Sequence, residues 1–144
     1  MARVHRQLGR PTSSPPELAR RLARLEPGGL IFFDSSPASI PGQRRFSILA
    51  CQPDRILTED RSGYVEYPGK RRIDSPVEWL LEAESCMPAP VCSLPFEGGL
   101  AGMLGFEFAW TLDDIHAAKP RGEVPEIWVG AYPAALVYEH RRDR

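Results

Sequence analysis

The apolar run Leu30-Ile31-Phe32-Phe33 stops at Asp34-Ser35-Ser36, which puts a carboxylate and two hydroxyls at the end of a strand-like segment. An exposed carboxylate with neighbouring hydroxyls has the chemistry to hold the amino group and backbone of a small amino acid. Turn capping accounts for the same residues without a ligand, because Asp and Ser side chains readily bond nearby backbone N–H groups. A second polar set, Arg45-Phe46-Ser47, opens the next apolar run, where Arg44-Arg45 equally suits a solvated strand start. The third feature is the segment 94–107, in which Gly98, Gly99, Gly102 and Gly105 are threaded through apolar residues. Glycine in a strand costs backbone entropy and adds nothing to the packing, so this density asks for a close approach of another backbone or a ligand, or for a tight bend.

Other chemistries find little support. No Lys-Ser/Thr follows the glycines and no strand-turn-helix frame surrounds them, which argues against a phosphate cradle. Ser47, His116 and Asp34 can be assembled on paper into a triad, but triads are recognised by geometry and nothing in the spacing orients these three. Cys51, Cys86 and Cys92 have no metal-ligand spacing, and His5, His116 and His140 are scattered, so no metal site is expected. Asp113-Asp114 suits a helix start better than a cation site. Cys51 lies in an apolar strand and behaves as a small buried hydrophobe. Cys86 and Cys92 flank prolines in a loop where a disulfide or two thiols would fit.

A net charge of -1, from 18 Lys+Arg against 19 Asp+Glu, gives no overall field to recruit nucleic acid. The arginines Arg3, Arg6, Arg10, Arg20, Arg21 and Arg24 suit a frayed tail followed by a solvated helix face. Neither a signal peptide nor a run of about 18 apolar residues is present, so a cytoplasmic protein with no membrane span is expected. With 144 residues the chain is one domain by size. Fifteen prolines and twelve glycines predict short elements and many turns, while an apolar fraction of 42% argues against wholesale disorder.

The elements that must position these residues follow from caps and breakers. Residues 1–13 read as a flexible leader and 14–144 as the domain. Ser14-Pro15-Pro16-Glu17 is a capping box, predicting a helix over 15–25 with Leu18, Leu22 and Leu25 as its buried stripe. Residues 30–33 and 45–51 are predicted strands, with a weaker one over 64–67. Ser75-Pro76-Val77-Glu78 repeats the capping logic and predicts a helix to about Glu84 with Val77, Leu80 and Leu81 on one face. The glycine-rich strand comes next, then a helical turn or two over 111–118 capped by Thr111, then strands over 127–132 and 135–138 separated by Pro133, which belongs at an edge or bulge. The expected class is α+β, mainly antiparallel sheet with a few short helices.

Three blocks, in order, resemble one known domain. The segment from Phe96 to Glu107 is similar to the Pro-Phe-x-Gly-Gly-x-x-Gly-x-x-Gly-Tyr-Asp/Glu motif in the N-terminal domain of the chorismate-utilising synthases, the large subunits of aminodeoxychorismate and anthranilate synthases. The residues Phe33-Asp34-Ser35, with Gly42 to Pro53, resemble its upstream pattern, and Trp128 to His140 its closing strands. Asp34 leans toward the aminodeoxychorismate branch, whose relatives less often carry Glu before the serine.

The resemblance implies the N-terminal part of the anthranilate synthase component I fold, and an accessory role. The chorismate and magnesium sites of such enzymes lie in a C-terminal domain, so no catalytic residue or cofactor is expected in this chain. The implied partners are that chorismate-binding domain and a glutamine amidotransferase subunit that supplies ammonia. Asp34, Ser35, Arg45, Phe46 and Ser47 match a pocket that in relatives can bind tryptophan. Gly98, Gly99, Gly102, Gly105 and Phe106 match the strand that packs on the catalytic domain, although core packing explains each glycine equally. Trp110 stands near a position where relatives often use Arg, which removes any ion pair made there. The runners-up are the anthranilate branch and a stand-alone amino-acid-binding module.

Overall fold

The computed structural model describes residues 6, 8, 9, 12–26, 28–35, 46–113 and 124–140. The chain divides into two compact units, one made of Met1–Pro53, Met87–Gly99 and Tyr132–Arg144, the other of Asp54–Cys86 and Leu100–Ala131.

In the first unit, helix α1 (Pro15–Leu25) begins where the capping box places it. The Ser14 backbone N–H and hydroxyl both donate to Glu17 Oε2 at 2.9 Å, and Pro15 occupies a position whose N–H no helix bond needs. Its buried face differs from the expected leucine stripe. Ala19 is the buried residue, Leu18 and Leu22 are half-buried, and Leu25 is 74% exposed. At about 100° per residue, Leu25 lies roughly 120° round the helix from Ala19 and falls off the packed arc.

Strand β1 (Ile31–Phe33) pairs antiparallel with β2 (Phe46–Ala50), in the register Ile31 to Ala50 and Phe33 to Ile48. The other edge of β2 pairs antiparallel with the strand Leu136–Glu139, closing a three-stranded sheet. Among the described residues of this unit, the buried apolar ones are Ala19, Ile31, Leu49, Ala50 and Tyr132. The Tyr132 hydroxyl donates to the Gly29 carbonyl at 2.9 Å, and burial, with a smaller effect of the Cys51 charge, pushes its phenol up to about 12. Cys51 itself is half-buried just beyond β2, rather than fully enclosed within it.

The second unit carries strands that the sequence only partly announces. Strand β3 (Arg55–Asp60) forms a hairpin with β4 (Gly63–Tyr67), and β5 (Arg71–Ile73) pairs on the far side of β4. Neither β3 nor β5 was expected. One carries polar residues at both ends, and the other is two arginines and an isoleucine. Helix α2 (Pro76–Ser85) starts at Ser75, whose hydroxyl accepts from the Glu78 N–H at 3.2 Å. It buries Pro76, Trp79 and Ala83, with Leu80 partly covered, while Val77 and Leu81 point outward. The expected face was therefore rotated, because Trp79 has the largest apolar area to hide and sets the orientation.

The glycine-rich strand is β6 (Gly99–Leu104). A short helix, α3 (Phe108–Leu112), follows it and begins earlier than expected because Phe108 is anchored in the core. Thr111 is inside that helix instead of capping one, and the rest of the predicted turn, from Asp114 on, lies outside the described residues. Strands β7 (Ile127–Tyr132) and β8 (Leu136–Glu139) match expectation closely. The larger sheet has the order β5-β4-β3-β7-β6, so β6 is an edge strand. Leu57, Trp79, Ala83, Phe108, Ile127 and Val129 form one core cluster. The fold is α+β, with two antiparallel sheets and few short helices.

Candidate functional site

The three-stranded sheet gathers the polar residues singled out in sequence. Extending the β1–β2 register one step past Phe33 and Ile48 brings Asp34 opposite Ser47, and Ser47 is in turn paired with Tyr138 on β8. The Ser47 hydroxyl donates to Asp34 Oδ1 at 2.5 Å and lies 2.7 Å from His140 Nε2. Ser47 is 2% exposed and, with Glu66, one of two buried polar or charged residues among the described residues. The Ser35 hydroxyl donates to the Phe46 carbonyl at 2.7 Å, and the His140 ring stands edge-on to Tyr138 with centroids 4.9 Å apart.

Of the five residues expected to line an amino-acid pocket, Asp34, Ser35, Phe46 and Ser47 thus lie together. Arg45 falls outside the described residues, as does His116. The histidine that reaches Ser47 is His140, which sequence reasoning had set aside as scattered. Only the β2–β8 register reveals it, across 93 positions of chain. The arrangement is no hydrolytic triad. The serine sits between carboxylate and imidazole and is sealed from solvent, whereas a nucleophile must be reachable and have the base, not the acid, beside it.

Chemically the cluster presents acceptors. Asp34 is exposed, and its carboxylate has a second oxygen that no described residue bonds; the Ser35 oxygen, its proton committed to Phe46, keeps a lone pair. Such a set suits a cation with N–H donors. Among the described residues no group of three His, Cys, Asp or Glu side chains converges as a metal would require.

In the larger sheet, a paired network holds Glu66. Its carboxylate accepts from Arg55 on one oxygen and from Arg71 at 2.5 and 2.8 Å on the other, and Arg55 stacks over Trp79 at 4.9 Å. Burial raises the Glu66 carboxyl, but the two arginine hydrogen bonds and the Arg55 charge outweigh it and leave the carboxyl below its ordinary value. Glu97 accepts from the Val91 and Cys92 N–H groups at 2.8 and 2.9 Å, folding the proline-rich loop, and its hydrogen bond to the Cys92 thiol raises that thiol. Cys51, Cys86 and Cys92 are all free thiols.

The glycines of the third candidate feature have a geometric reason inside the chain. A Cβ on Gly102 would overlap the Trp128 carbonyl oxygen and come within 2.7 Å of Val129 Cα. Gly98 has φ +109, and a Cβ there would meet the Tyr132 carbonyl oxygen at 2.7 Å. Gly99 also lies in the left-handed half of the map, at φ +140, and Gly105 is looser, with its nearest neighbours at 3.3 Å on Glu126. Beside them Met103, Leu104 and Phe106 are exposed, Phe106 at 83%.

No family model matches the chain. In sequence it is 28% identical over 105 residues to aminodeoxychorismate synthase component 1 of Salmonella typhimurium, an alignment covering 68% of this chain and 23% of that protein. In structure it matches anthranilate synthase component I from Streptococcus pneumoniae with a TM-score of 0.58 at 21% identity, covering 99% of this chain and 31% of that one. The chain therefore spans about a quarter to a third of these relatives. The resemblance to the chorismate-utilising synthases is borne out in sequence and in fold. No described helix is long and apolar enough to cross a membrane.

Proposed function

We propose that this chain is an N-terminal accessory domain of the aminodeoxychorismate synthase component 1 type, working with a chorismate-binding catalytic domain in the cytoplasm. The observation that carries the reading is the 105-residue likeness to the Salmonella protein, which falls on a minor part of that protein's length. The reaction served is amination of chorismate, with ammonia from a glutamine amidotransferase subunit and magnesium held in the catalytic domain. Asp34 ahead of Ser35 supports this branch over anthranilate synthesis, the runner-up.

The chain alone is expected to be inactive, because such chemistry needs positioned acid-base groups, a bound metal and a closed low-dielectric pocket. The test incubates the chain with chorismate, ammonia and magnesium, with and without a supplied catalytic domain. Amination product only in the combined sample supports the reading, and its identity, aminodeoxychorismate or anthranilate, decides the branch. Turnover by the chain alone above an enzyme-free control refutes the accessory role.

A second reading is favoured by the acceptor cluster of Asp34 and Ser35: a site for the ammonium of an amino acid such as tryptophan. Calorimetric titration with tryptophan tests it, with saturable binding that is lost in Ser35→Ala as the expected result.

A further inference from the structure

We infer that Ser47 and His140 are positioning residues that fix the Asp34 carboxylate for a ligand ammonium, with His140 held in its Nε2–H form. The inference rests on the ammonium site just proposed and adds to it a residue from the far end of the chain.

The assignment follows from counting protons. An ionised carboxylate only accepts, so the 2.5 Å contact requires the Ser47 hydroxyl to give its single proton to Asp34. That length is typical of an O–H donor facing a charged oxygen. Having no second proton, Ser47 can only accept from His140, and at 2.7 Å the donor must be the Nε2–H. A neutral His140 then carries its lone pair on Nδ1.

Three consequences set the role. The two bonds point the same way, from imidazole through hydroxyl to carboxylate, so each polarises the next. Ser47 is 2% exposed, which keeps water from replacing either bond. The edge-on Tyr138 ring, at an interplanar angle of 79°, fixes the plane of the imidazole. Asp34 itself lies at the exposed end of β1, where a carboxylate without this chain would turn freely about its last bond. Holding Oδ1 therefore pre-sets Oδ2 before a ligand arrives and spares the ligand that ordering cost.

The test has two arms on the full 144-residue chain. In long-range proton-nitrogen spectra of histidine-labelled protein, His140 is expected to show an Nε2-bound proton protected from exchange with water, and Ser47→Ala is expected to lose that protection. An Nδ1–H tautomer, or protection unchanged in Ser47→Ala, overturns the inference whether or not a ligand binds.

The second arm titrates the chain with tryptophan and, as a control lacking the ammonium, indole-3-propionate. His140→Gln keeps a donor at the Nε2 position and should stay within about twofold of the parent affinity for tryptophan, while His140→Leu should lose about tenfold. Indole-3-propionate should not distinguish the variants. Equal losses in the Gln and Leu variants, or parallel losses for both compounds, mean a merely structural histidine and overturn the inference. Absence of tryptophan binding by the parent chain removes the ammonium site and this inference with it, while the chorismate assay still judges the accessory-domain reading separately.

Discussion

Replacing Gly102 by alanine should destabilise the larger sheet out of proportion to one methyl group. The added Cβ would overlap the Trp128 carbonyl oxygen and sit 2.7 Å from Val129 Cα and 2.9 Å from the Trp128 carbonyl carbon. Carbon atoms attract best at about 3.5–4.0 Å, so the strands must separate by roughly 1 Å. All three neighbours are backbone, and no rotamer change relieves them. Overpacking of this kind costs about 1–3 kcal/mol, and each β6–β7 hydrogen bond stretched in the process adds about 1 kcal/mol. Restricting the unfolded chain returns about 0.4–1 kcal/mol. With one such bond stretched the net loss is about 1–4 kcal/mol, or a fall of roughly 0.5–2 M in urea midpoint at a slope of about 2 kcal/mol/M. Gly28→Ala is the control, since Gly28 has no heavy atom within 4 Å of a built Cβ and no positive φ, and its midpoint should hold or rise slightly. Urea unfolding followed by intrinsic tryptophan fluorescence and far-ultraviolet circular dichroism reads both variants. A Gly102→Ala midpoint within about 0.3 M of the parent would show that β6 yields freely and would refute the close-approach argument.

Three further outcomes are expected. The Glu66 carboxyl is held below its ordinary value, so its contribution to stability is present above the unfolded value near 4.5 and lost as pH falls through the lower folded one; Glu66→Gln should lose about 1.5–3 kcal/mol at neutral pH and show a shallower acid decline in thermal melts. Tyr132 is raised to about 12 from 10, so its contribution is complete below pH 10 and lost as pH climbs toward 12; Tyr132→Phe should give up about 1 kcal/mol for the Gly29 bond yet flatten the alkaline decline. Phe106→Asp should change stability by no more than about 0.5 kcal/mol, because the ring is 83% exposed, but should weaken association with a supplied catalytic domain in sedimentation, and undiminished association would count against β6 as the contact.

What the sequence disclosed depended on how local the governing physics was. Capping boxes at Ser14 and Ser75 are contained within four residues, and both helices begin where those boxes say. The strands over Ile127–Tyr132 and Leu136–Glu139 were legible because apolar runs are bounded by Pro133. Strands β3 and β5 were not, since their stability comes from pairing with β4 and β7 and not from their own residues. Helix faces were misjudged where Trp79 overrides the average period in α2 and where Leu25 falls off the packed arc of α1. In the candidate site, Asp34, Ser35 and Ser47 were visible as a strand end and a strand start, but His140 depended on strand register, which no spacing rule reports.

The glycine-rich segment changes meaning once its neighbours are known. Its density first invited a close approach by some other backbone, and the resemblance placed that backbone in a separate catalytic domain. For Gly102 the approaching backbone is β7 of this chain, and for Gly98, whose own φ is +109, it is the Tyr132–Pro133 peptide. Both glycines are therefore required whether or not a partner exists, so their substitution says nothing about docking. What a partner would have to cover is the exposed apolar set on and beside the edge strand: Met103, Leu104 and Phe106. Exposed edges and apolar side chains together are what natural sheets usually blunt or cover. An experiment on association must therefore change Phe106, whose side chain supports nothing inside the unit, and leave Gly102 alone, because loss of binding in a Gly102 variant would follow from the displaced strand.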